Sequence, residues 1–346
     1  MFFFHNDYNE ACHPAVLDKI QQNMGKQMAG YSEDVACERA AGMIRKACGN
    51  ESLAVHFLVG GTQTNLIVIA AALRPHQAAI GADTAHINVH ETGAIEATGH
   101  KVIALPTTDG KICGDQIREN VRTHYADAAF EHMPQPKLVY ISNPTELGTI
   151  YTLAELEDIH AACKEHNLYL FVDGARLGYG LAAVGNDVTF ADLARLTDVF
   201  YIGGTKVGAL FGEAVVISNP VLAEDFRYIM KQRGAMLAKG WLLGLQYEAL
   251  MEDDLYLKIS SHADKMADKL RAAFAELGYP MLVEGVTNQI FPILPDSLLD
   301  ALKAEFTFSE QLRVDASHRA VRFCTSWATD ENAVDALCYA LKNLSN

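Results

Sequence analysis

Short apolar runs alternate with amphipathic segments between residues 53 and 218. The runs have the length of buried strands, and they span 54–59, 78–80, 101–105, 137–142, 168–172, 199–202 and 214–218. Segments of helical periodicity lie between several of them, for example 114–125 and 153–166. Because such alternation is typical of parallel sheets covered on both faces, it predicts an α/β domain built on a mainly parallel, seven-stranded sheet.

The rhythm changes after residue 220. A long helical stretch is predicted at 248–277, followed by strands around a turn at 281–294, a strand at 319–325 and a closing helix at 331–343. This order indicates a small α+β unit. We therefore expect an N-terminal arm and large domain in residues 1–245 and a small domain in residues 246–346.

The first fifty residues predict a short arm and a helix at 32–48. Asp34, Glu38 and Arg39 recur at helical spacing within it, which indicates a face exposed to solvent.

Two polar motifs follow predicted strands. Asp173 opens the sequence DGAR after the run 168–172, and Lys206 ends the sequence GGTK after the run 199–202. In open α/β sheets, ligands bind at the carboxyl edge of the strands, so both side chains should reach one crevice. A lysine can hold an aldehyde as a Schiff base, and a carboxylate can keep a pyridine nitrogen protonated. The pair therefore predicts a site for pyridoxal phosphate (PLP), although each motif alone is more often a solvated loop or a cap.

A glycine turn supplies a third element. Residues 60–65, with the sequence GGTQTN, follow a predicted strand and open the apolar, Ala-rich segment 66–73. A turn of this kind directs unpaired N–H groups and the positive end of a helix dipole at one point, where phosphate binds. The sequence matches neither the P-loop nor the dinucleotide-binding pattern.

Composition excludes several other classes of function. The net charge is −15, which argues against nucleic acid or an anionic membrane as the main partner. The seven cysteines include no C-x-x-C pair and are expected to be reduced thiols. The chain lacks an apolar stretch of membrane-spanning length, so we expect a cytoplasmic protein.

Two histidines allow different interpretations. His86 and His90 are four residues apart, as in some helical metal sites, but they lack an H-E-x-x-H motif and a carboxylate-rich partner, so we expect no metal. His86 follows the strand at 78–80 and could instead stack on the cofactor ring at the same sheet edge.

Three basic features have alternative interpretations as well. Arg176 either reaches the crevice with Asp173 or forms a surface salt bridge. Arg322 lies mid-strand and either clamps a substrate carboxylate through its guanidinium or faces outward. A basic cluster of Lys231, Arg233 and Lys239 faces either phosphate or solvent.

Taken together, these motifs resemble the threonine aldolase family of fold-type-I PLP enzymes, within the β-eliminating lyase group. The resemblance covers nearly the whole chain. The matching segments are 30–34 (GYSED), 60–65 (GGTQTN), 85–86 (AH), 91–94 (ETGA), 173–177 (DGARL), 205–206 (TK), 287–288 (TN) and 321–323 (VRF).

The resemblance implies a role for each matching position. Lys206 would form the Schiff base, Asp173 would pair with the pyridine nitrogen, His86 would stack on the ring, and Gly61 and Thr62 would hold the phosphate. Arg176 and Arg322 would bind the substrate carboxylate. The family builds its sites at a dimer interface, often within a tetramer, so part of the basic cluster would serve the neighbouring subunit, with Arg233 as its cofactor-binding candidate. The implied reaction cleaves L-threonine or L-allo-threonine to glycine and an aldehyde.

The sequence departs from the family pattern at three places. Asn6 stands where the family has Ser, so an amide replaces a hydroxyl near the substrate carboxylate. Glu146 stands where the family has the His near the substrate β-hydroxyl, which makes it the candidate catalytic base if burial raises its pKa. The loop between Lys206 and Gly212 is one residue shorter.

Other functions remain open on the sequence alone. β-Elimination, racemisation and transamination would use the same cofactor residues. A binding protein for a phosphorylated ligand is the alternative outside enzymology, and Lys206 argues against it because mere binding needs no Schiff-base lysine.

Overall fold

The computed structural model describes residues 1–344. The strands are β1 (Phe2–Phe3), β2 (Ala54–Leu58), β3 (Gln77–Ala82), β4 (Lys101–Leu105), β5 (Gln135–Ser142), β6 (Tyr169–Asp173), β7 (Val199–Gly203), β8 (Glu213–Ile217), β9 (Gln289–Ile290), β10 (Ile293–Pro295), β11 (Phe306–Thr307), β12 (Ser309–Arg313) and β13 (His318–Cys324). The helices are α1 (Pro14–Gln21), α2 (Val35–Ala47), α3 (Gly61–Ala72), α4 (His86–Val89), α5 (Gly114–Ala126), α6 (Leu153–Glu165), α7 (Leu177–Ala182), α8 (Phe190–Leu196), α9 (Pro220–Ala223), α10 (Phe226–Gln232), α11 (Trp241–Met251), α12 (Leu255–Glu276), α13 (Asp296–Leu302) and α14 (Glu331–Leu344).

The large sheet has seven strands in the order β2-β8-β7-β6-β5-β3-β4, which confirms the predicted mainly parallel sheet. The strands from β4 to β7 in this order run parallel to one another. β8 runs antiparallel to both of its neighbours. Its first residue, Glu213, pairs with Gly203 at the end of β7. The reversal therefore brings Glu213 to the edge where the parallel strands end.

The central strands are apolar because helices cover both faces of the sheet. Every residue of β3, β7 and β8 is buried. Helix α11 packs on α2 and carries a run of buried residues from Leu243 to Leu250. From this layer the Tyr247 hydroxyl of α11 reaches the carbonyl oxygens of Ile202 and Gly212, on either side of the loop that carries Lys206.

A second apolar cluster lies in the C-terminal part of the chain, among α12, α13, α14 and the strands β9, β10, β11 and β13. The N-terminal arm joins it, because β1 pairs with β11 and Phe4 packs against Phe306 and Phe323. The division of the chain at residue 245 stays a prediction; that position lies within α11.

Two details of the predicted helices are wrong. The stretch predicted as one helix at 248–277 is two helices, because Asp253 and Asp254 adopt left-handed φ angles of 51° and 56°. Short polar side chains tolerate that conformation, and no Gly or Pro marks the break. Asp34, predicted on a solvent face, is buried and caps α2, where its Oδ1 accepts hydrogen bonds from the backbone N–H groups of Ala36 and Cys37.

Candidate active site

A cavity of about 360 Å³ opens at the carboxyl edge of the large sheet. Loops that follow β2, β5, β6 and β7 form its walls, together with the start of β8. It is lined by Tyr8, Val59, Gly60, Gly61, Thr62, Asn65, His86, Ser142, Pro144, Thr145, Glu146, Asp173, Ala175, Arg176, Tyr201, Thr205, Lys206, Phe211 and Glu213. The structure thus brings Asp173, Lys206 and the glycine turn to one cavity.

Asp173 is the last residue of β6, and its carboxylate accepts four hydrogen bonds. Oδ1 accepts from the Tyr201 hydroxyl at 2.5 Å and from the Ala175 N–H at 2.9 Å. Oδ2 accepts from the Tyr140 hydroxyl at 2.6 Å and from Asn65 Nδ2 at 3.0 Å. Burial favours the protonated acid, but these donors prevail and lower the pKa of Asp173 below its usual value. The cavity therefore contains a carboxylate that stays charged.

The glycine after Asp173 allows this arrangement. A Cβ on Gly174 would lie 1.8 Å from the carbonyl oxygen of Tyr201. Only glycine permits so close an approach of the two loops, which keeps the Tyr201 hydroxyl within reach of Asp173.

His86 is held by a buried carboxylate. Its Nδ1 lies 2.7 Å from Glu91 Oε1, and the same oxygen accepts a hydrogen bond from Asn65 Nδ2 at 2.7 Å. Because Asn65 also donates to Asp173, a continuous chain of polar groups connects the imidazole to the low-pKa carboxylate. This chain fixes the plane of the His86 ring in the cavity wall.

The glycine turn begins helix α3. Gly60 occupies the N-cap position in an extended conformation, and no side chain caps the helix there. The N–H groups of the first turn, on Gly61 and Thr62, have no acceptor within the helix, and both residues line the cavity. A Cβ on Gly61 would lie 3.2 Å from the Tyr201 hydroxyl, so a larger residue would crowd the space beside Asp173.

Lys206 lies in the loop between β7 and β8, partly buried in the cavity wall. The adjacent Thr205 hydroxyl accepts from the Gly212 N–H and donates to Glu213 Oε1, both at 3.0 Å. Desolvation and the nearby Arg176 guanidinium lower the pKa of the Lys206 amine below its usual value, against the attraction of Asp7, Asp173 and Glu213. A lysine with a lowered pKa is a better nucleophile near neutral pH.

Glu146 faces the same cavity. The Ser142 hydroxyl and the His86 N–H both donate to its Oε1, at 2.6 and 2.9 Å. Burial and, less strongly, the charge of Asp173 raise the pKa of Glu146, while the hydrogen bonds oppose the rise. The pKa of Glu146 is therefore raised, which is the condition that its sequence-based assignment as the catalytic base required.

Arg176 lines the cavity and is oriented by Asp7 of the N-terminal arm. Nε and Nη2 of Arg176 bind the two Asp7 carboxylate oxygens at 2.7 and 3.0 Å, and Asn288 Nδ2 donates to Asp7 at 2.9 Å. Asp7 is fully buried. Burial raises its pKa, but Arg176 and Lys206 together bring the pKa below the usual value. The ion pair of Arg176 with Asp7 is therefore buried and does not lie on the protein surface.

Three predicted site residues lie outside this cavity wall. Asn6 accepts a hydrogen bond from the Tyr8 N–H at 3.0 Å. Arg322 donates to Gln289 Oε1 and to the His5 carbonyl, while its Nε is buried without a hydrogen-bond partner among the described residues. Arg233 is exposed at the end of α10. Their proposed roles stay predictions.

Several polar residues of the site had no separate prediction. Tyr140 and Tyr201 bind Asp173, Glu91 holds His86, and Glu213 and Asp7 place carboxylates beside Lys206. The available signals were weak: a tyrosine within an apolar strand, and a glutamate directly before the apolar run 214–218.

The structure also bears on the metal and membrane predictions. Within residues 1–344, no group of three or more His, Cys, Asp and Glu side chains is arranged as metal ligands. The rings of His86 and His90 have centroids 5.6 Å apart. No helix in the described range is long and apolar enough to cross a membrane.

The polar groups that line the cavity suit PLP. An amine with a lowered pKa, a carboxylate with a lowered pKa and a helix N-terminus line one space, as an aldehyde, a pyridine nitrogen and a phosphate require. The cavity volume lies in the range of small-molecule sites.

Comparisons with known proteins agree with this chemistry. The β-eliminating lyase family model matches residues 11–296. The low specificity L-threonine aldolase of Pseudomonas aeruginosa is 31% identical over 342 residues, which cover 97% of this chain and 95% of that protein. A threonine aldolase structure from Leishmania major has 46% identity and a TM-score of 0.98, with 100% of both chains covered.

More distant structures share the fold alone. A Thermus thermophilus aspartate aminotransferase is 15% identical, with a TM-score of 0.74 over 99% of this chain and 91% of that one. The predicted fold-type-I architecture is therefore confirmed. With the family model and the full-length relatives in agreement, the chain belongs to the threonine aldolases of the β-eliminating lyase family, a family of PLP-dependent lyases.

Proposed function

We propose that this protein is a PLP-dependent aldolase that cleaves β-hydroxy-α-amino acids of the L-threonine or L-allo-threonine type to glycine and an aldehyde. The observation that carries the proposal is the meeting of Lys206, Asp173 and Glu146 in one cavity. The names of the relatives support the reaction and the substrate class.

The chain's own residues would hold the cofactor at both ends. Lys206 Nζ would bind its aldehyde carbon, and the N–H groups of Gly61 and Thr62 would bind its phosphate. Asp173 would hold the proton on the pyridine nitrogen, and the His86 ring, fixed by Glu91, would stack on the cofactor ring. The cofactor, when bound, supplies an electron-accepting ring for the bond that breaks at the substrate Cα.

Arginine side chains would orient the substrate. Asp7 occupies Nε and Nη2 of Arg176, which leaves Nη1 as the nitrogen that would bind the substrate carboxylate. Arg322 and Asn6 would complete this binding site from the strand β13 and the arm. A buried Asp7 makes Arg176 rigid, so that little side-chain freedom is lost when the substrate binds.

Glu146 would remove the proton of the substrate β-hydroxyl as the Cα–Cβ bond breaks. The Ser142 hydroxyl and the His86 backbone N–H both donate to Oε1, which leaves Oε2 as the oxygen that would take the proton. The raised pKa makes this carboxylate a stronger base than an exposed glutamate. A water molecule held by Glu146 or His86 would be the alternative carrier of the proton.

We further infer a homodimer or tetramer in which a neighbouring subunit contributes Arg233 to the site. Its exposure at the end of α10, away from the cavity of its own chain, supports this inference. The seven cysteines are unbridged, which supports a location in the reducing cytoplasm.

The reaction is tested by product analysis of the purified protein. We expect glycine and acetaldehyde from L-threonine or L-allo-threonine. Release of pyruvate and ammonia from serine or cysteine, with no aldehyde from threonine, would instead establish β-elimination. A protein that binds PLP but transforms none of these amino acids would support the binding-protein alternative.

Cofactor attachment is tested separately. Borohydride reduction of the PLP-loaded protein and peptide mapping should place the pyridoxyl group on Lys206. A label on another lysine, or no label, would refute the assignment.

A further inference from the structure

Glu213 is a buried carboxylate beside Lys206 to which the proposed reaction assigns no role. It is the first residue of β8, only 3% exposed, and it lines the cavity together with Lys206. The antiparallel pairing of β7 and β8 aligns it with Gly203, three residues before Lys206. Its place at the end of the reactive loop is therefore fixed by the sheet.

One oxygen of this carboxylate is anchored and the other is free. The Thr205 hydroxyl donates to Oε1 at 3.0 Å and is itself held by the Gly212 N–H. Oε2 is buried and has no hydrogen-bond partner among residues 1–344. A buried carboxylate oxygen without a donor is costly, so this atom needs a proton or a cation.

Lys206 is the cation that can meet this need. The two side chains interact electrostatically, and Asp173 also acts on both of them. The other ionisable groups around the pair are Arg176, Asp7 and Cys324 near Lys206, and Tyr201, Tyr247 and Tyr256 near Glu213. Arg176 and Asp7 already bind each other, which leaves Glu213 as a carboxylate available to Lys206.

We propose that Glu213 is the counter-ion and proton partner of Lys206, with Glu213 Oε2 as the atom that takes up and returns the Nζ proton when the Lys206 side chain approaches it. When the proton moves from Nζ to Oε2, a neutral amine and a neutral carboxyl replace the ion pair, and the amine can act as a nucleophile. When it returns, the ion pair forms again. The net charge of the pair is unchanged, so no isolated ion remains in the cavity wall.

The pKa shifts of Glu213 and Lys206 agree with this pairing. Burial raises the pKa of Glu213 to about 8, against the opposing effect of Lys206 and the Thr205 hydrogen bond. Burial also lowers the pKa of Lys206. The pKa of the acid and that of the base thus approach each other, which makes transfer between them cheap.

The inference rests on the proposed attachment of the cofactor to Lys206 and is tested on the PLP-loaded protein with Glu213→Gln. The pH midpoint of the absorption change of the cofactor bound to Lys206 should fall by at least about one unit, a tenfold loss of proton affinity. The amide retains the shape and the Thr205 contact but cannot balance the positive charge. An unchanged midpoint would overturn the proposal.

Asp264→Asn is the matched control. Asp264 is also a buried carboxyl with its pKa raised to about 8, but it lies on α12 outside the cavity wall. Its substitution should leave the midpoint in place, and an equal shift in this variant would contradict a specific role of Glu213. If Glu213→Gln does not fold, Thr205→Val should lower the midpoint in the same direction, because loss of the hydrogen bond to Oε1 raises the pKa of Glu213 and reduces its negative charge.

A second measurement separates this inference from the proposed reaction. In the cofactor-free protein, the pH dependence of Lys206 acylation reports the pKa of its amine directly. Glu213→Gln should lower that pKa by at least about one unit whether or not the protein cleaves threonine. An unshifted acylation profile would refute the pairing even if aldol cleavage is confirmed.

Discussion

Replacement of Asp173 by asparagine tests the electron-accepting part of the site most directly. The wild-type carboxylate accepts two hydroxyl, one backbone and one side-chain amide hydrogen bond. Asp173→Asn keeps the size of the side chain but removes its charge and replaces one acceptor oxygen by an NH₂ group.

The geometry decides which oxygen is replaced. The Ala175 N–H cannot rotate away, so the amide oxygen should take the position of Oδ1. The NH₂ group then takes the position of Oδ2, where it meets the Nδ2 donor of Asn65. The Tyr140 hydroxyl can turn and accept instead. One charged hydrogen bond is therefore lost and three become neutral.

These losses set the expected magnitudes. A lost charged hydrogen bond costs about 2 kcal/mol and each conversion to a neutral bond about 1 kcal/mol, partly offset because a neutral group is cheaper to bury. We expect the free energy of unfolding to fall by about 2–4 kcal/mol. Turnover should fall on the order of a hundredfold, about 2.7 kcal/mol, because an amide cannot hold the ring nitrogen protonated by charge.

The assay compares turnover per bound PLP in wild type and Asp173→Asn, with unfolding curves for both. Asp198→Asn is the control, because Asp198 is equally buried and accepts hydrogen bonds from Leu170 and Asn219 at 2.8 Å outside the active-site cavity. It should lose stability but keep its turnover. Near-normal turnover in Asp173→Asn, with the cofactor still on Lys206, would refute the reasoning.

Two further predictions concern the base and the subunit interface. Glu146→Gln should lower the rate of aldol cleavage by about 10²–10⁴-fold while glycine still binds. Wild-type activity should rise with pH as Glu146, whose pKa is raised, loses its proton, and this rise should be absent from the variant. An unchanged pH–rate profile would exclude Glu146 as the base. Mixed chains of Lys206→Ala and Arg233→Ala, each inactive alone, should recover up to about a quarter of wild-type activity, because half of random dimers carry one intact site; no recovery after verified exchange would exclude a shared site.

The strands could be predicted because their signal is local. The apolar runs of the central strands are buried on both faces, so their ends are visible as changes of polarity, and the seven predicted strands are all present. The direction of β8 has no such signal, since it depends on which strands pair. The arrival of Glu213 at the reactive edge therefore followed only from the structure.

The polar contacts of the site are equally non-local. Asn65 binds Asp173 across 108 positions, and Asp7 binds Arg176 across 169. A sequence pattern shows which residue types are available but not which side chains meet. Lys206 and Asp173 were predictable because a strand end places them, whereas Tyr140 looked like any other residue of a buried strand.

The substitution of Glu146 for the family's histidine has a physical explanation in this cavity. An exposed glutamate would be too weak a base near neutral pH, but burial moves its pKa upward toward that range. The same desolvation lowers the pKa of Lys206 and raises that of Glu213. Asp173 escapes this trend because four donors bind its oxygens. Burial in the cavity thus brings the pKa values of Glu146, Lys206 and Glu213 closer together, and these are the groups proposed to exchange protons. Hydrogen bonds keep the pKa of Asp173 low, and Asp173 is the group that must remain charged.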